Sequence, residues 1–281
     1  MTKVCLTIAG LDPSGGAGII ADIKTFSAFG CYGAAAIASV TFQNTQGVFG
    51  AVHETAETVR AQILPIIDDF EIAALKTGML PTREIIEEVA RIVAENNLKN
   101  FVVDPVVRST SGFDLIDNAA LKVLIKKLFP LSTIITPNIP EAERIAKMSI
   151  ESEADVEKAA RKIQKMGAKN VLIKGGHLPI SSFKFQLSSS KKTIKKKTSR
   201  KVFDYLFIGE DLHIFEAEFV ETTATHGTGC TLAAAITANL ALGKTLIEAV
   251  EIAKRFVTEA IRTAPNLGKG HSPINHLVKE F

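Results

Sequence analysis

Short, continuous apolar runs alternate along the chain with longer segments in which apolar residues recur every three or four positions. Runs of this kind are typical of strands buried on both faces of a sheet, and they predict strands at residues 4–9, 34–42, 72–77, 101–103, 133–136 and 170–173. The periodic segments predict helices at residues 19–29, 55–68, 82–95, 119–128, 154–166, 228–242 and 246–262. This alternation predicts an α/β fold, in which helices cover both faces of a mostly parallel sheet.

Two stretches depart from the alternation. Residues 203–208 and 212–215 are joined by Gly209-Glu210-Asp211, a pattern that predicts a β-hairpin. Pro65 falls inside the helix predicted at residues 55–68. Because proline removes a helical hydrogen bond and crowds the preceding turn, we expect it to bend or break that helix.

Composition narrows the class of protein. Of the 281 residues, 46% are hydrophobic and 22% charged, which is enough for a large core in one α/β domain or in two smaller ones. Cys5, Cys31 and Cys230 lie far apart without a C-x-x-C pair, which argues against a disulfide framework or a structural zinc site. The first apolar run ends at Gly10 and is too short for a signal peptide or a membrane span. We therefore expect a cytoplasmic protein with no membrane partner.

The basic character of the chain is local. Residues 191–201 carry seven positive charges, more than the whole formal net charge of +3, so the rest of the protein carries −4. These charges belong to a segment at about residues 181–201 that is rich in Ser and Lys and is typical of a solvated, flexible insertion. Because the basic run at residues 188–201 lacks aromatic residues, we expect no nucleic-acid partner. A lid over a bound nucleotide is a second hypothesis for this segment.

The most informative stretch is T-H-G-T-G-C at residues 225–230, just before the apolar helix. A helix that begins near Thr228 leaves its first amides without internal partners, and these amides attract an anion. Gly227 and Gly229 let an anionic group approach the backbone closely, and Cys230 lies in the first turn, where the pKa of a thiol tends to fall. The alternative is a glycine loop ahead of a buried helix with an inert cysteine.

Polar positions at the ends of the first two strands are candidates for ligand recognition. A glycine-rich loop at residues 10–18 follows the first strand, but it matches neither G-x-G-x-x-G nor the P-loop pattern. Asp22 lies early in the following helix, where it is either a site residue or a solvated carboxylate. Gln43 ends the second strand, and its amide offers a donor and an acceptor that suit the edge of a heteroaromatic ring. The alternative for Gln43 is an ordinary polar turn.

Later strands end in charged and amide side chains. Asp104 follows the strand at 101–103, and Asn138 and Glu141 stand at the start of a helix, so all three could supply oxygen ligands to magnesium. The alternative is helix capping, with Asn at the N-cap and Glu three residues later. Lys174 ends the strand at 170–173 and either reaches a nucleotide phosphate or lies in a surface turn. Since parallel strands end at one edge of a sheet, these positions should converge there.

Taken together, these motifs give the chain a family resemblance. The motifs, in order, are GLDPSGGAG at 10–18, QNT at 43–45, KTGML at 76–80, DPV at 104–106, TPNIPE at 136–141, KGGH at 174–177 and HGTGC at 226–230. In this set the chain resembles the hydroxymethylpyrimidine/phosphomethylpyrimidine kinases of thiamine biosynthesis, which belong to the ribokinase superfamily. The resemblance covers nearly the whole chain apart from about residues 181–201. It implies a single ribokinase-like domain over residues 1–281, a three-layer αβα sandwich with a mostly parallel central sheet.

The resemblance also implies an activity and a substrate pocket. ATP would phosphorylate the hydroxymethyl group of 4-amino-5-hydroxymethyl-2-methylpyrimidine, and the monophosphate would then be phosphorylated to the diphosphate. Gln43 would pair with the amino and ring nitrogens of the pyrimidine. The residues that would line the pocket around it are Gly10, Asp22, Met79 and Val106.

The phosphate-handling residues are implied in the same way. Magnesium would bind at Asp104, Asn138 and Glu141, while Lys174 and Thr228 would contact the nucleotide. The amides from Gly227 through Gly229 to Cys230 would hold the phosphoryl group in transit. Cys230 would act as the general base, or position the hydroxyl, in the place where sugar kinases of this superfamily carry an aspartate.

Other functions remain open from the sequence. A pyridoxal or pyridoxine kinase shares the scaffold, but the related vitamin B6-preferring enzymes tend to lack the glutamine found at Gln43. A sugar kinase is disfavoured because the catalytic aspartate is absent. A ligand-sensing module without turnover would not need the magnesium, phosphate and thiol positions. The superfamily resemblance further implies a homodimer.

Overall fold

The structure, a computed structural model, describes residues 1–107, 115–175 and 200–281. The predicted insertion at 181–201, apart from its last two residues, and the KGGH motif beyond Gly175 lie outside these ranges. Among the described residues no helix is long and apolar enough to cross a membrane.

The elements alternate as the apolar pattern predicts. In chain order they are β1 (Val4–Leu11), α1 (Gly18–Ala28), β2 (Tyr32–Asn44), β3 (Gly47–His53), α2 (Ala56–Asp69), β4 (Ile72–Thr77), α3 (Arg83–Glu95), β5 (Phe101–Val103), α4 (Asn118–Leu128), a 3₁₀ turn (Phe129–Leu131), β6 (Ile134–Ile135), α5 (Ile139–Ala146), α6 (Glu153–Lys165), β7 (Asn170–Lys174), β8 (Lys201–Ile208), β9 (Asp211–Glu218), α7 (Thr228–Ala241) and α8 (Leu246–Arg262).

One sheet runs through the described part of the chain, in the order β3-β2-β1-β4-β5-β6-β7-β8-β9. The strands from β2 to β7 pair in parallel, whereas β3 and the β8–β9 hairpin are antiparallel and form the two ends. The prediction of a mostly parallel sheet with a late hairpin is therefore confirmed. The carboxyl ends of β1, β4, β5, β6 and β7 meet at one edge, called here the catalytic edge.

Helices cover both faces of the sheet and give three layers. Within β1, Leu6 and Ile8 point into a core made with α2 to α6, while Cys5 points into the opposite core with α1 and α7. Helices α7 and α8 close that second face against β5 and β8 through residues such as Val102 and Leu206. Strands buried on both faces explain why the apolar runs are continuous rather than alternating.

The local structure differs from the sequence pattern at two places. Pro65 lies inside α2, and the helix continues through it to Asp69, so the proline does not break the helix. Strand β3 was not predicted at all. Its sequence, GVFGAVH, is largely exposed on an end strand and contains two glycines, so it lacks the buried apolar signature of the other strands.

Candidate active site

The loop after β1 is organised around one carboxylate, that of Asp12. Its oxygens accept hydrogen bonds from the backbone amides of Ser14 (2.9 Å), Gly16 (3.2 Å) and Ala17 (2.9 Å), and from the Ser14 hydroxyl (2.7 Å). Burial opposes the negative charge, but bonds from His226 and Ser14 outweigh it and hold the pKa of Asp12 below its usual value. The sequence pattern indicated this loop but gave no sign that Asp12 organises it.

His226 connects this loop to the start of α7 and to Gln43. Its Nε2 lies 2.7 Å from Asp12 Oδ2 and 3.4 Å from Gln43 Nε2. Because an ionised carboxylate only accepts, the Nε2 atom must carry a proton toward Asp12. That nitrogen then cannot accept a bond from Gln43, so the amide N–H groups of Gln43 remain available to a ligand. The Gln43 Oε1 atom is held by the Thr41 hydroxyl at 3.0 Å.

Two glycines allow the loop after β1 and the loop before α7 to touch. A Cβ atom on Gly227, where φ is +83°, would lie 1.8 Å from the carbonyl oxygen of Gly16. A Cβ atom on Gly16 would lie 2.3 Å from the imidazole of His226. Only glycine fits at either position, so the two loops form one continuous wall at the catalytic edge.

The amino end of α7 is exposed to this edge as predicted. Gly227 is the N-cap residue, and none of the described side chains caps the helix. Thr228 donates its hydroxyl to the Thr225 carbonyl at 3.1 Å, while Gly229 faces Lys174, whose Nζ would lie 3.3 Å from a Cβ atom at that position. The Thr228 amide donates to the Thr225 carbonyl at 3.3 Å, whereas the amides of Gly229 and Cys230 have no partner among the described residues. A cation and two free amides therefore stand together, an arrangement that suits a phosphate group.

The Cys230 thiol is less acidic than the sequence predicted. The residue is partly exposed at the start of α7, yet burial of the thiol disfavours the thiolate and raises the thiol pKa to about 11. The ammonium of Lys76 opposes this rise, whereas Asp22 and Asp104 add to it. The helix-end effect that we expected to lower the thiol pKa is therefore outweighed by burial and by two nearby carboxylates.

Asp22 is not a solvated helix residue. Its side chain and that of Lys76 are both 0% exposed, and they form an ion pair of 2.9 Å. Thr7 donates to the same carboxylate oxygen at 2.7 Å. The other oxygen, Oδ1, is buried without a hydrogen-bond partner among the described residues. Such an unsatisfied acceptor is rare and indicates a missing donor.

Asp104 and Lys174 face each other across the ends of β5 and β7. Lys174 Nζ lies 3.1 Å from Asp104 Oδ1, which also accepts from the Thr136 hydroxyl at 2.9 Å. Burial opposes the charge of Lys174, but Asp104 and Glu141 outweigh it and raise the pKa of Lys174. The lysine at the end of β7 is therefore held as a cation rather than exposed in a surface turn.

Asn138 and Glu141 form the capping box that was the alternative reading of their spacing. Asn138 Oδ1 accepts from the Glu141 amide at 2.9 Å, and Glu141 Oε2 accepts from the Asn138 amide at 2.8 Å. Burial, with a further contribution from Asp104, raises the pKa of Glu141 to about 7 although Lys174 opposes the shift. Within the described ranges no group of three or more His, Cys, Asp or Glu side chains has the geometry of a metal site.

Three apolar or small positions of the predicted pocket also lie at this edge. Gly10 and Met79 are buried neighbours at the ends of β1 and β4, since a Cβ atom on Gly10 would lie 3.1 Å from the Met79 sulfur. Val106 is partly exposed just after β5, in a turn closed by its amide and the Asp104 carbonyl at 2.9 Å. A side chain at position 10 would therefore push on the methionine.

A segment after α8, here called the strap (residues 269–273), ties two parts of the edge together. The amides of Lys269 and Gly270 donate to the Thr45 hydroxyl at 3.2 Å each, and the His271 amide donates to the Thr45 carbonyl at 2.7 Å. The His226 amide donates to the Ser272 carbonyl at 3.2 Å. The turn beside Gln43 and the start of α7 thus share one support, which no local sequence pattern indicated.

Comparison with known proteins agrees with this arrangement. The family model described as phosphomethylpyrimidine kinase matches residues 12–275. A hydroxymethylpyrimidine/phosphomethylpyrimidine kinase of Haemophilus influenzae is 42% identical over 275 residues, covering 98% of this chain and 96% of that protein. The Bacillus subtilis protein of the same name is 43% identical and covers 96% of this chain and 93% of its own length.

Solved structures give the same result. A phosphomethylpyrimidine kinase from Clostridium difficile is 40% identical, with a TM-score of 0.76 over 92% of this chain and 100% of that one. The ADP complex of Bacillus subtilis pyridoxal kinase is 37% identical, with a TM-score of 0.84 over 98% of both chains. The match to the family model and the identities over nearly the full length lead to one conclusion: this chain belongs to the phosphomethylpyrimidine kinase family.

Proposed function

We propose that the protein transfers the γ-phosphoryl group of ATP to 4-amino-5-hydroxymethyl-2-methylpyrimidine and then to its monophosphate, forming the diphosphate. The observation that carries this proposal is that the Gln43 amide lies 3.4 Å from the imidazole of His226, the residue just before the N-cap of α7. An amide suited to the edge of a ring and amides suited to a phosphate share one edge of the sheet. A kinase for a small heteroaromatic alcohol needs both kinds of amide in one pocket.

The pyrimidine is recognised by unsatisfied polar groups. The free N–H groups of Gln43 donate to a ring nitrogen, while Gln43 Oε1 accepts from the exocyclic amino group. Asp22 lies beneath the pocket, where its buried Oδ1 has no hydrogen-bond partner among the described residues. Gly10 and Met79 pack against the ring face, and Val106 borders its open side.

The migrating phosphoryl group is held by charge and by backbone donors. Lys174 contacts the nucleotide phosphates beside Gly229, and the first amides of α7 receive the negative charge that develops during transfer. Thr228, also in the first turn, binds the nucleotide. Phosphoryl transfer depends mainly on positioning and electrostatic stabilisation, and this part of the edge supplies both.

Cys230 accepts the proton of the reacting hydroxyl. The hydroxymethyl O–H bond breaks, its proton passes to the Cys230 thiolate, and the freed oxygen forms a bond to the γ-phosphorus. The bond from that phosphorus to the bridging oxygen breaks, and ADP leaves. With a pKa of about 11 only a small fraction of the free enzyme carries a thiolate. The measured rate should therefore rise with pH across the neutral range.

Magnesium fits the carboxylates beside Lys174. Asp104 raises the pKa of Glu141, which shows that the two buried carboxylates repel each other, and a divalent cation would relieve that repulsion. Glu141 Oε1 accepts only a long bond of 3.4 Å from the Val107 amide, so it can turn to another partner. Asp104, Asn138 and Glu141 would hold the ion and its waters. When bound, magnesium neutralises charge on the phosphate oxygens.

The proposed activity is tested by ATP consumption that depends on the added pyrimidine. We expect turnover with the pyrimidine and with its monophosphate, and little ATP hydrolysis without them. In the Cys230→Ser variant kcat should fall about 100-fold or more, in the range given by loss of a catalytic base. The matched control is Cys31→Ser, which changes a buried core thiol, and it should keep most of kcat. Full activity in Cys230→Ser would remove the base role while leaving the phosphate site in place.

A pyridoxal kinase is the second candidate function. Pyridoxal kinases from Bacillus subtilis and Staphylococcus aureus match this fold at 37% and 31% identity, with TM-scores of 0.84 and 0.85. The Gln43 amide favours the pyrimidine because it offers a donor beside an acceptor to a ring edge that carries both. Steady-state assays with both substrates decide: a higher kcat/KM for pyridoxal would reverse the choice.

We further propose that the protein is a cytoplasmic homodimer. Supporting the dimer, the antiparallel β2–β3 end of the sheet exposes the side chains of Phe42, Phe49 and Val52 by 53%, 69% and 56%. Exposed apolar groups clustered on an end strand favour association. Light scattering coupled to size-exclusion chromatography measures the mass directly, and a single 30.2 kDa species would refute the dimer.

A further inference from the structure

A buried lysine lies in this molecule without a role in the proposed reaction. Lys76 ends β4 with its side chain 0% exposed, and its ammonium forms an ion pair of 2.9 Å with Asp22. Burial opposes the charge, but Asp22 outweighs it and raises the pKa of Lys76, so the side chain is a cation inside the fold. Placing an ammonium ion in the interior is costly, and a structural core would be served as well by an apolar residue.

The position of Lys76 follows from the layers of the fold. On the face covered by α1 and α7, an apolar layer takes one member from each of β1, β4, α1 and α7: Cys5, Ala74, Phe26 and Ala234. Side chains on one face recur every two residues in a strand and about every four in a helix. The next layer toward the catalytic edge therefore consists of Thr7, Lys76, Asp22 and Cys230.

Contacts within this second layer agree with that placement. Thr7 and Lys76 are partners in the pairing of β1 with β4, and Thr7 and Lys76 both bond to the same oxygen of Asp22. Cys230 stands over this group at the start of α7, four residues before Ala234. The Lys76 ammonium is thus the charge beneath the thiol, and Asp22 holds it in place.

The charges around Cys230 single out Lys76. Asp22 on α1 and Asp104 after β5 both disfavour the thiolate, whereas Lys76 on β4 favours it and the backbone amide of Gly18 assists. The Lys174 ammonium on β7 also interacts with this thiol, but it is not among the principal causes of the shift in the thiol pKa. Without Lys76 the thiol would face mainly carboxylates.

We propose that Lys76 is a positioning residue for phosphoryl transfer, whose buried ammonium stabilises the thiolate form of Cys230 from the layer beneath. The inference rests on the proposed function only in assigning Cys230 as the base. Lys76 touches neither the substrate nor the nucleotide. It acts through Cys230, by increasing the fraction of enzyme that can accept the hydroxyl proton.

The direct test measures alkylation of Cys230 by iodoacetamide as a function of pH, followed by mass spectrometry of the peptide that contains it. In Lys76→Met the alkylation rate below pH 9 should fall about tenfold or more, because each unit of thiol pKa changes the thiolate fraction tenfold. Lys76→Arg keeps the charge and should stay closer to the wild-type profile. An unchanged rate profile in folded Lys76→Met would overturn the proposal.

A matched control separates this effect from loss of stability. Lys254 is also a buried lysine, paired with Asp204 at 2.7 Å between α8 and β8, and it is not among the principal charges that act on Cys230. Lys254→Met should therefore leave the alkylation profile of Cys230 unchanged. Should Lys76→Met fail to fold, the double variant Lys76→Met/Asp22→Asn leaves no unpaired charge. Because Asp22 itself disfavours the thiolate, its alkylation profile is compared with that of Asp22→Asn, and it should be slower below pH 9.

Kinase assays then show whether Lys76 acts through the thiol. Lys76→Met should reduce kcat in the wild-type background but have little further effect in Cys230→Ser. Equal losses in both backgrounds would assign Lys76 a merely structural role. If the protein phosphorylates neither the pyrimidine nor pyridoxal, the proposed function fails, while the alkylation profile still decides whether Lys76 stabilises the thiolate.

Discussion

At the scale of single residues, the site depends on positions that tolerate no other side chain. Gly227 combines two constraints: its φ of +83° is unfavourable for residues with a Cβ atom, and its Cα faces the Gly16 carbonyl at contact distance. Gly243, at the end of α7, has the same backbone conformation, with φ of +82°, but a Cβ atom there would meet nothing within 4 Å. Comparing the same substitution at the two glycines therefore separates the effect of backbone strain from the effect of steric contact.

Gly227→Ala should lower kcat about 100-fold, because the first amides of α7 would move away from the transferring phosphoryl group. It should also lower the free energy of unfolding by about 3 kcal/mol or more, combining strain with overpacking. Gly243→Ala should cost about 1–2 kcal/mol and leave kcat unchanged. Denaturant unfolding and steady-state kinetics on both variants provide the check, and equal kinetic effects would contradict the loop contact.

A second residue-scale prediction concerns His276, which is buried beside the Thr231 hydroxyl at 3.0 Å. Burial lowers its pKa from 6.5 to about 4, with smaller contributions from the charges of Lys24 and His226. Between about pH 4 and 6.5, His276 therefore binds a proton in the unfolded chain but not in the folded protein. This cost is absent above about pH 6.5, grows as the pH falls, and reaches on the order of 3 kcal/mol near pH 4.

Unfolding free energies measured between pH 4 and 7 test the prediction. His276→Gln should flatten the loss of stability on acidification, because glutamine does not titrate. The exposed His271 lies nearby in the strap, and His271→Gln should retain the wild-type dependence on pH. An unchanged slope in His276→Gln would show that other groups cause the acid sensitivity.

At the scale of elements, the catalytic edge is made by joining segments that are distant in the chain. His226 and Asp12 are 214 residues apart in sequence, yet their bond of 2.7 Å fixes the loop after β1 against the start of α7. The same histidine lies beside Gln43 at the end of β2. Substrate recognition and phosphate binding therefore respond together when this junction is changed.

His226→Asn should raise KM for the pyrimidine about tenfold and lower kcat. The substitution removes the imidazole that packs against the Gln43 amide and the bond to Asp12 that fixes the start of α7. The expected loss of stability is only about 1–3 kcal/mol, the cost of leaving the buried Asp12 with one fewer donor. His271→Asn, which alters a histidine 3.1 Å from the Thr223 carbonyl, is the matched control. If steady-state kinetics show a change in kcat and none in KM, then His226 does not influence pyrimidine binding by Gln43.

The sequence was sufficient for most elements but not for their contacts. Buried strands such as β4 and β7 could be predicted because both of their faces are apolar, whereas the exposed β3 left no comparable pattern. Helix α2 continues through Pro65, although a proline locally favours a helix end. The partners of Asp22 and of Asp12 could not be predicted, since pairings across 54 and 214 residues leave no local signature. The Cys230 pKa was misjudged because the helix end was visible in sequence and the surrounding carboxylates were not.

At the scale of the whole molecule, ligands should stabilise the fold through charges that are already in place. Asp104, Glu141 and Lys174 form a buried group of mixed charge between the ends of β5, β6 and β7. A ligand that satisfies this group binds only the folded state, so it must raise the free energy of unfolding. At about 100 times its Kd, the rise is about 2.7 kcal/mol.

Thermal unfolding with ATP, with and without magnesium, tests the proposed metal residues. We expect the Tm to rise most when both are present and much less when a chelator is added. Lys174→Met should reduce the effect of ATP in either condition, whereas Asp104→Asn should reduce mainly the part that needs magnesium. A Tm increase that is the same without magnesium would argue against a metal role for Asp104 and Glu141.

The strap has a consequence for biosynthesis. Ribosomes deliver a protein from its amino end, and early parts of a domain begin to fold before the last parts emerge. Every strand and helix described here precedes residues 269–273, which bond both to the Thr45 turn and to the segment before α7. A newly made molecule can thus complete its sheet before the strap connects the Thr45 turn to the segment before α7. The pocket should therefore bind substrate only after residues 269–273 have emerged and docked.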